Sequence, residues 1–427
     1  MSAIFAPSRL YLPAGSRSFV QPGHIDVLAD KSMREALGIT LGFEGGDRGF
    51  NQQSDVVTQT ADGVDLNTVW RDFQAVLQAY NARRNNLISF LTYSVSNPTE
   101  TVMQATGGDD FEVASEYGVP KSVRTRMSSF QMGFPFEWYD IAGRFTWKFL
   151  MDATLAQVDS VHNAIVEADN RLVFGEVFKT LFDPTNRVAD ILERPYTVYA
   201  LYNGDGTVPP AYKSTTFSGT HSHYMVSGAA ALRGQDLDAL LNNITEHGFD
   251  AASGATLIVM VNKQESNRIR NFRNIANLSA TAAAVDSGAY AATYDFIPAQ
   301  GTPSLLMPRD MIVGQAQQPA NTYQGLKVVG AYGDALVVEE DYIPAGYLVA
   351  FATGGSNNLT NPLGIREHAN AAYRGLRLVK TRETNSYPLQ DSYYQRGFGV
   401  GIRQRGSAAL MQVKASGTYA VPAAYAR

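Results

Sequence analysis

Along "DLNTVWRDFQAVLQAYNARRNN", the residues Leu66, Val69, Trp70, Phe73, Val76, Leu77 and Tyr80 recur at steps of three and four. That spacing places side chains on one face of a helix, and Asp65 stands where an N-cap belongs. The pattern predicts an amphipathic helix. A longer helical pattern fills "MDATLAQVDSVHNAIVEADNRLVFGEVFKTLFDP", with Val158, Val161, Ile165, Ala168, Leu172, Val173, Val177 and Leu181 on one side and Asp183-Pro184 as the stop. A helix of roughly thirty residues reaches on the order of 45 Å. It is expected to act as a spine.

Between the helices the period changes to two. Thr92, Tyr93 and Val95 open one strand, and Phe130, Met132, Phe134 and Phe136 alternate along another. The polar text between them holds Asn97-Pro98, Gly107-Gly108 and Pro120, so the segment reads as a β-arm with a long tip. The tip is acidic through Asp109, Asp110, Glu112 and Glu116.

After the spine the text is mixed. "DLDALLNNITEHG" predicts a helix closed by Gly248, "ATLIVMVN" a buried strand, and Asn262 a cap for the helix "KQESNRIRNF". Strands are expected again at "GLKVVG", "DALVVEE" and "GYLVAFAT". "DSYYQRGFGVGIRQRGSAALMQVKASG" reads as two strands joined near Arg405-Gly406. Residues 1–65 contain "GFEGGDRGFNQQSD" and one short helical candidate, residues 30–37. They read as an extended arm that is ordered only against another surface.

Composition sharpens this picture. A chain of 427 residues suggests two or three sub-domains. Only 18% of the residues are charged, so much of the surface is neutral or covered by partner chains. The net charge of −5 argues against a dedicated nucleic-acid binder, whose footprint is a basic surplus. The charge is uneven. Residues 363–427 carry ten Arg or Lys against three acids, a surplus of +7, which leaves −12 on the rest. There is no cysteine, which excludes disulfides, thiolate metal sites and cysteine nucleophiles. The start lacks the basic and apolar regions of a secretory signal, and no apolar run is long enough to span a bilayer.

For chemistry, the best metal candidate is His221 and His223 in "FSGTHSHYMVSGAA", since i and i+2 share a face of a strand. No carboxylate follows closely. Glu246 and His247 serve only if the fold returns that helix end to the strand. The competing reading, which is the one expected here, puts both histidines on the wet face of a half-buried strand with no metal. "GFGVG" lacks the third glycine and the helix of a dinucleotide loop, and reads as a strand with close backbone approach. There is no P-loop, G-x-S-x-G or HExxH motif. No catalytic, cofactor-binding or metal residue is expected.

The tail "GIREHANAAYRGLRLVKTRETNSYPLQDSYYQRGFGVGIRQRGSAALMQVKASGTY" resembles the C-terminal part of major capsid proteins from phages of actinobacteria. "FSGTHSHYMVSGAA" followed by "DLDALLNNITEHGFDAASGATLIVMVN" is similar to a block in the same proteins. The resemblance covers most of the chain and rests on extended similarity. It implies an α+β, Hong Kong 97-like major capsid fold with an N-arm (1–65), an amphipathic helix of the peripheral domain (66–91), and an E-loop (92–132). The peripheral domain with the spine helix (133–193), the axial domain (194–355) and a return to peripheral strands and the C-terminus (356–427) follow.

The function so implied is a structural, non-enzymatic head protein. It self-assembles as pentamers and hexamers into an icosahedral shell around double-stranded DNA, without a cofactor, sequence-specific DNA binding or a membrane. Assembly is expected in the host bacterial cytoplasm, with cement or scaffolding proteins and a portal as further partners. In some members an E-loop lysine forms an isopeptide bond with an asparagine; Lys121 is the lysine of this E-loop, and no partner is matched to it. Inter-subunit contacts are expected from Asp109, Asp110, Glu112 and Glu116 to Arg366, Arg374, Arg377, Arg396, Arg403 and Arg405. The alternatives are an encapsulin-type shell around protein cargo and a cupin-like metalloenzyme using His221 and His223.

Overall fold

The computed structural model describes residues 58–82, 86–105, 113–114, 116–119, 127–191, 194–213, 215–274, 290–301, 318–380 and 389–427. The short helix expected at 30–37 and Lys121 lie outside the described residues. The chain divides into two compact units. One holds residues 1–71, 144–160 and 381–391, and the other holds the remainder.

In the smaller unit, a turn at Thr60–Val64 is closed by Val64 N–H donating to Thr60 Oγ1 at 3.2 Å. The Asp62 carboxylate accepts from the Leu155 N–H at 3.1 Å, which satisfies one of the free donors at the start of the spine helix. The expected Asp65 cap is present, with its Oδ1 2.8 Å from Asn67 N. Leu66, Val69, Phe145, Leu150 and Val158 are buried here, and the Trp70 and Phe145 ring centroids are 5.9 Å apart.

The spine is a 28-residue helix, Leu155–Phe182, preceded by a separate turn of helix, Trp147–Asp152, which Thr146 caps. The sequence pattern ran the spine helix back to Met151, but Ala153 is extended and ends the first helix there. The amphipathic helix runs Leu66–Ala82. Its stripe is narrower than expected, because Val76 is 48% exposed while Phe73 and Leu77 are buried.

Two sheets organise the larger unit. The five-stranded sheet runs Thr92–Val95, Leu363–Glu367, Leu389–Ile402 and Arg377–Lys380 in order, with Glu137–Thr146 also pairing to Leu389–Ile402. Thr92–Val95, assigned to the E-loop on sequence, is therefore a sheet strand paired in parallel with Leu363–Arg366. The arm itself is a two-stranded hairpin, Thr99–Ala105 against Met127–Gly133.

The eight-stranded sheet follows the order Phe296–Pro298, Leu326–Tyr332, Ala335–Glu339, Thr256–Val261, Tyr347–Thr353, Ala408–Gln412 and Tyr224–Val226, with Thr322–Tyr323 beside Leu326–Tyr332. Among the described residues it is an open, mixed sheet. Its centre is covered on both faces, so alternation sorts residues between two cores instead of between core and water. Ile258, Met260, Val349, Phe351 and Leu410 pack with Val173, Val177, Phe178 and Phe182 of the spine. Leu257, Val259, Val261, Leu348, Ala350 and Met411 pack with Leu237, Leu240 and Ile244 of the helix Gly234–Thr245.

One assignment changes as a result. The strands either side of Arg405-Gly406 do not pair with each other. Leu389–Ile402 belongs to the five-stranded sheet and Ala408–Gln412 to the eight-stranded one, so the turn passes the chain from one sheet to the other. "GFGVG" lies within Leu389–Ile402, as expected of a close-approach strand. A Cβ on Gly399 would stand 1.8 Å from the Pro135 carbonyl oxygen, so only glycine lets the two backbones meet.

Candidate functional site: a histidine cluster and the arginines of the last segment

The histidine pair does not sit on a wet strand face. The strand begins at Tyr224, and the segment before it is held inward by His223 N–H donating to the Tyr202 carbonyl at 2.7 Å and Leu410 N–H donating to the His223 carbonyl at 2.8 Å. His223 is fully buried. The helix Gly234–Thr245 ends close by, with Glu246 as its C-cap and Gly248 at φ +86°, and this turn returns His247 to the pair.

The three Nε2 atoms form a triangle. His221 and His223 are 3.2 Å apart, His221 and His247 3.0 Å, and His223 and His247 3.0 Å. His223 Nδ1 lies 2.7 Å from the Ala408 carbonyl oxygen; a carbonyl only accepts, so Nδ1 carries the proton and Nε2 presents a bare lone pair. Glu246 Oε1 is 3.5 Å from His221 Nε2. Aromatic rings wall the cluster: Phe217 stacks on His247 with centroids 4.2 Å apart, and Tyr202 lies 5.7 Å from His223. Gly406 completes the wall, since a Cβ there would be 3.0 Å from His247 Cγ.

Burial favours the neutral imidazole throughout. It holds His221 below its ordinary value, with the Asn243 side chain pulling the other way. His247 is lowered to about 3, by burial and then by His221. His223 lies well below the usual range, through burial first and the neighbouring His247 second.

The arginines divide into two groups. Arg396 Nη1 is 2.5 Å from Asp169, Arg403 Nε is 2.8 Å from Glu100, and Arg405 Nη2 is 2.9 Å from Asp205. These three are each paired with an acid of their own chain. Arg405 also donates to the Ala200 carbonyl at 2.8 Å. Of the others, Arg366 donates to the Phe134 carbonyl at 2.9 Å and is half-buried. Arg374 is exposed and donates to the carbonyls of His368 and Ala369. Arg377 lies 4.7 Å over the Tyr373 ring. Glu116 is exposed, while Asp109, Asp110 and Glu112 lie outside the described residues.

A chain of Mycobacterium phage Patience is 43% identical to this one, covering 90% of this chain and 98% of its own, with a TM-score of 0.68. Identity at that level over nearly the whole length decides the family. The chain belongs to the major capsid proteins of tailed phages. A major capsid protein is structural, and this one has the α+β, Hong Kong 97-like fold. The solved mature capsid of bacteriophage PhiM1 is 10% identical over 78% of this chain and 89% of its own, with a TM-score of 0.45. An encapsulin from Synechococcus elongatus is 12% identical over 81% and 97%, with a TM-score of 0.39. Neither of these weaker likenesses bears on function. No protein-family model and no curated protein matches the capsid protein. The family, and not a cupin-like architecture, accounts for the segment that holds His221 and His223.

Proposed function

We propose that this capsid protein closes its shell by laying the tip of its hairpin arm on a neighbouring copy, with Glu116 and the acids Asp109, Asp110 and Glu112 meeting Arg374 and Arg377. The observation that carries this reading is the apolar exposure at the tip. Val113 is 95% exposed, Tyr117 93% and Val119 93%, and apolar side chains gathered in one segment are normally covered by a partner. A second copy is that partner, because the acids flanking them are opposite in charge to the last segment.

In this reading, residues 1–65 act as an arm docked on a neighbour, 66–91 and 133–193 with the returning 356–427 as the peripheral domain, 92–132 as the E-loop, rooted in the five-stranded sheet by Thr92–Val95, and 194–355 as the axial domain. The spine helix and the five-stranded sheet support the peripheral assignment. The eight-stranded sheet supports the axial one, with Ala408–Gln412 added to it. The protein performs no catalytic step, assembles in the host cytoplasm, and confines packaged DNA without reading it. The net charge of −5 supports that last point. Scaffold, cement and portal proteins are partners of the same assembly.

Cross-linking chemistry tests the contact. A cysteine at Tyr117 and another at Arg374, in a chain with no cysteine of its own, are expected to form disulfide-linked chains of subunits in assembled shells and none in free subunits. Failure to link in assembled shells overturns the docking.

A further inference from the structure

We propose that His221, His223 and His247, with Glu246 beside them, bind one divalent transition-metal ion that fastens the end of the helix Gly234–Thr245 to the start of the strand Tyr224–Val226. The inference stands apart from the arm contact proposed above and needs no neighbouring subunit.

The geometry carries it in three steps. First, hydrogen bonding cannot satisfy all three edges of the triangle. Each Nε2 offers either one proton or one in-plane lone pair, so a three-way contact always leaves two protons or two lone pairs facing each other. A cation above the triangle meets three lone pairs at once. Second, the dimensions fit. A triangle with sides of 3.0 to 3.2 Å has its corners about 1.8 Å from its centre, so an ion held at about 2.0–2.1 Å from each nitrogen sits about 1 Å out of the plane. That is the centre of a tetrahedron whose nitrogen face is slightly compressed. Third, the ligand atoms that converge are those of the three histidines, and a half-buried carboxylate stands at the rim, Glu246 Oε1 being 3.5 Å from His221 Nε2.

The surroundings are those of a metal site. His223 has its second nitrogen fixed by the Ala408 carbonyl, the outer contact that orients a ligating imidazole. Arg405, a fixed cation whose field reaches His223, is neutralised by Asp205 at 2.9 Å. Three imidazoles suit zinc and its neighbours in the first transition row, whereas magnesium and calcium prefer oxygen. The role proposed for the ion is structural, because its three ligands come from two separate segments that it ties together.

The three ligands come from two segments, His223 and His247 being 24 residues apart, with Ala408 of a third segment behind them. Binding therefore ties the helix end, the strand start and the sheet together, and stabilises the folded chain by mass action.

The test uses the full-length chain. Elemental analysis of protein purified from zinc-supplemented cells and dialysed is expected to give about one zinc per chain, and the double variant His221→Asn, His247→Asn less than about one tenth of that. Cobalt(II) added to metal-stripped wild-type protein is expected to give the intense visible bands of a tetrahedral complex, while magnesium leaves the spectrum and the melting temperature unchanged. Should the double variant fail to fold, the stripped wild-type chain still decides the matter, because micromolar zinc is expected to raise its melting temperature by about 5 °C or more. Wild-type protein that holds no transition metal, shows no cobalt bands and melts at the same temperature with and without zinc overturns the site. None of these readouts depends on shell assembly.

Discussion

The Arg405 guanidinium lies 2.9 Å from the Asp205 carboxylate and its side chain is 1% exposed. Arg405 is buried and Asp205 reaches it from an exposed loop, at the turn where the chain leaves one sheet for the other. Asp205 also accepts from Asn186 Nδ2 at 2.6 Å and from Thr207 N–H at 3.0 Å. Arg405 in turn lies 4.6 Å over the Tyr202 ring, the residue whose carbonyl holds His223. The pair therefore locks the loop that carries the histidine cluster.

Removing one partner strands the other. Asp205→Ala leaves a buried guanidinium without its counter-charge, and is expected to destabilise the subunit by on the order of 3–5 kcal/mol. Urea unfolding of the free subunit measures it. A loss below about 1 kcal/mol would place the pair in effectively aqueous surroundings.

The same pair gives a pH dependence. Burial pushes the Asp205 carboxyl up, but the hydrogen bonds from Asn186 and Thr207 and the charge of Arg405 outweigh it and hold the group at about 2, against an ordinary 3.8. A depressed folded value means that the stabilisation is complete above about pH 4 and is lost as pH falls toward 2. Acid unfolding of wild type and Asp205→Asn should therefore converge across that window. Parallel curves from pH 4 to pH 2 would contradict the assignment.

Gly399 tests the crossing of backbones in the five-stranded sheet. With the Pro135 carbonyl oxygen 1.8 Å from where a Cβ would be, Gly399→Ala forces the segment Phe134–Phe136 off the strand. The expected cost is at least about 1–3 kcal/mol, read as a fall in melting temperature. Alanine tolerated at wild-type stability would show that the segment can move freely.

At the arm tip, Tyr117→Ser with Val119→Ser is expected to leave subunit stability within about 0.5 kcal/mol of wild type and to raise the concentration needed for assembly. Light scattering during assembly, beside thermal melting of the free subunit, separates the two effects. A lowered melting temperature with normal assembly would mean that these side chains serve their own subunit.

Charge reversal probes the other half of that contact. Asp109→Lys with Asp110→Lys should slow assembly and weaken its dependence on salt, and Arg374→Glu should restore part of both. Each exposed pair contributes only about 0–1 kcal/mol, but a shell repeats it in every subunit. Unchanged assembly across a salt series would remove the acids from the interface.

How much of this was legible in the sequence follows from the range of the forces involved. The helix Leu66–Ala82 and the Asn262 cap, with Gln264 N–H 3.2 Å from Asn262 Oδ1, are local features, so periodicity and capping chemistry located them. The order of the eight-stranded sheet was not legible. Its pairs join Tyr224 to Leu410, and strands buried on both faces carry no alternation between apolar and polar residues. The engaged arginines were hidden for a related reason. Charge counting treats Arg396, Arg403 and Arg405 alike, and only tertiary contact supplies Asp169, Glu100 and Asp205 as partners. Of the histidine cluster the pair was visible, and so was the condition for its third member. That condition was met when the turn at Gly248 carried His247 back.

The central claim is that this chain is the building block of a closed shell. Electron cryo-microscopy of particles purified from cells expressing the full-length chain tests it most directly. The account predicts closed icosahedral particles whose lattice is made of this chain, with the tip around Tyr117 in contact with the adjacent subunit. Discrete small oligomers or monomers under every assembly condition, with that tip exposed to solvent, would contradict it.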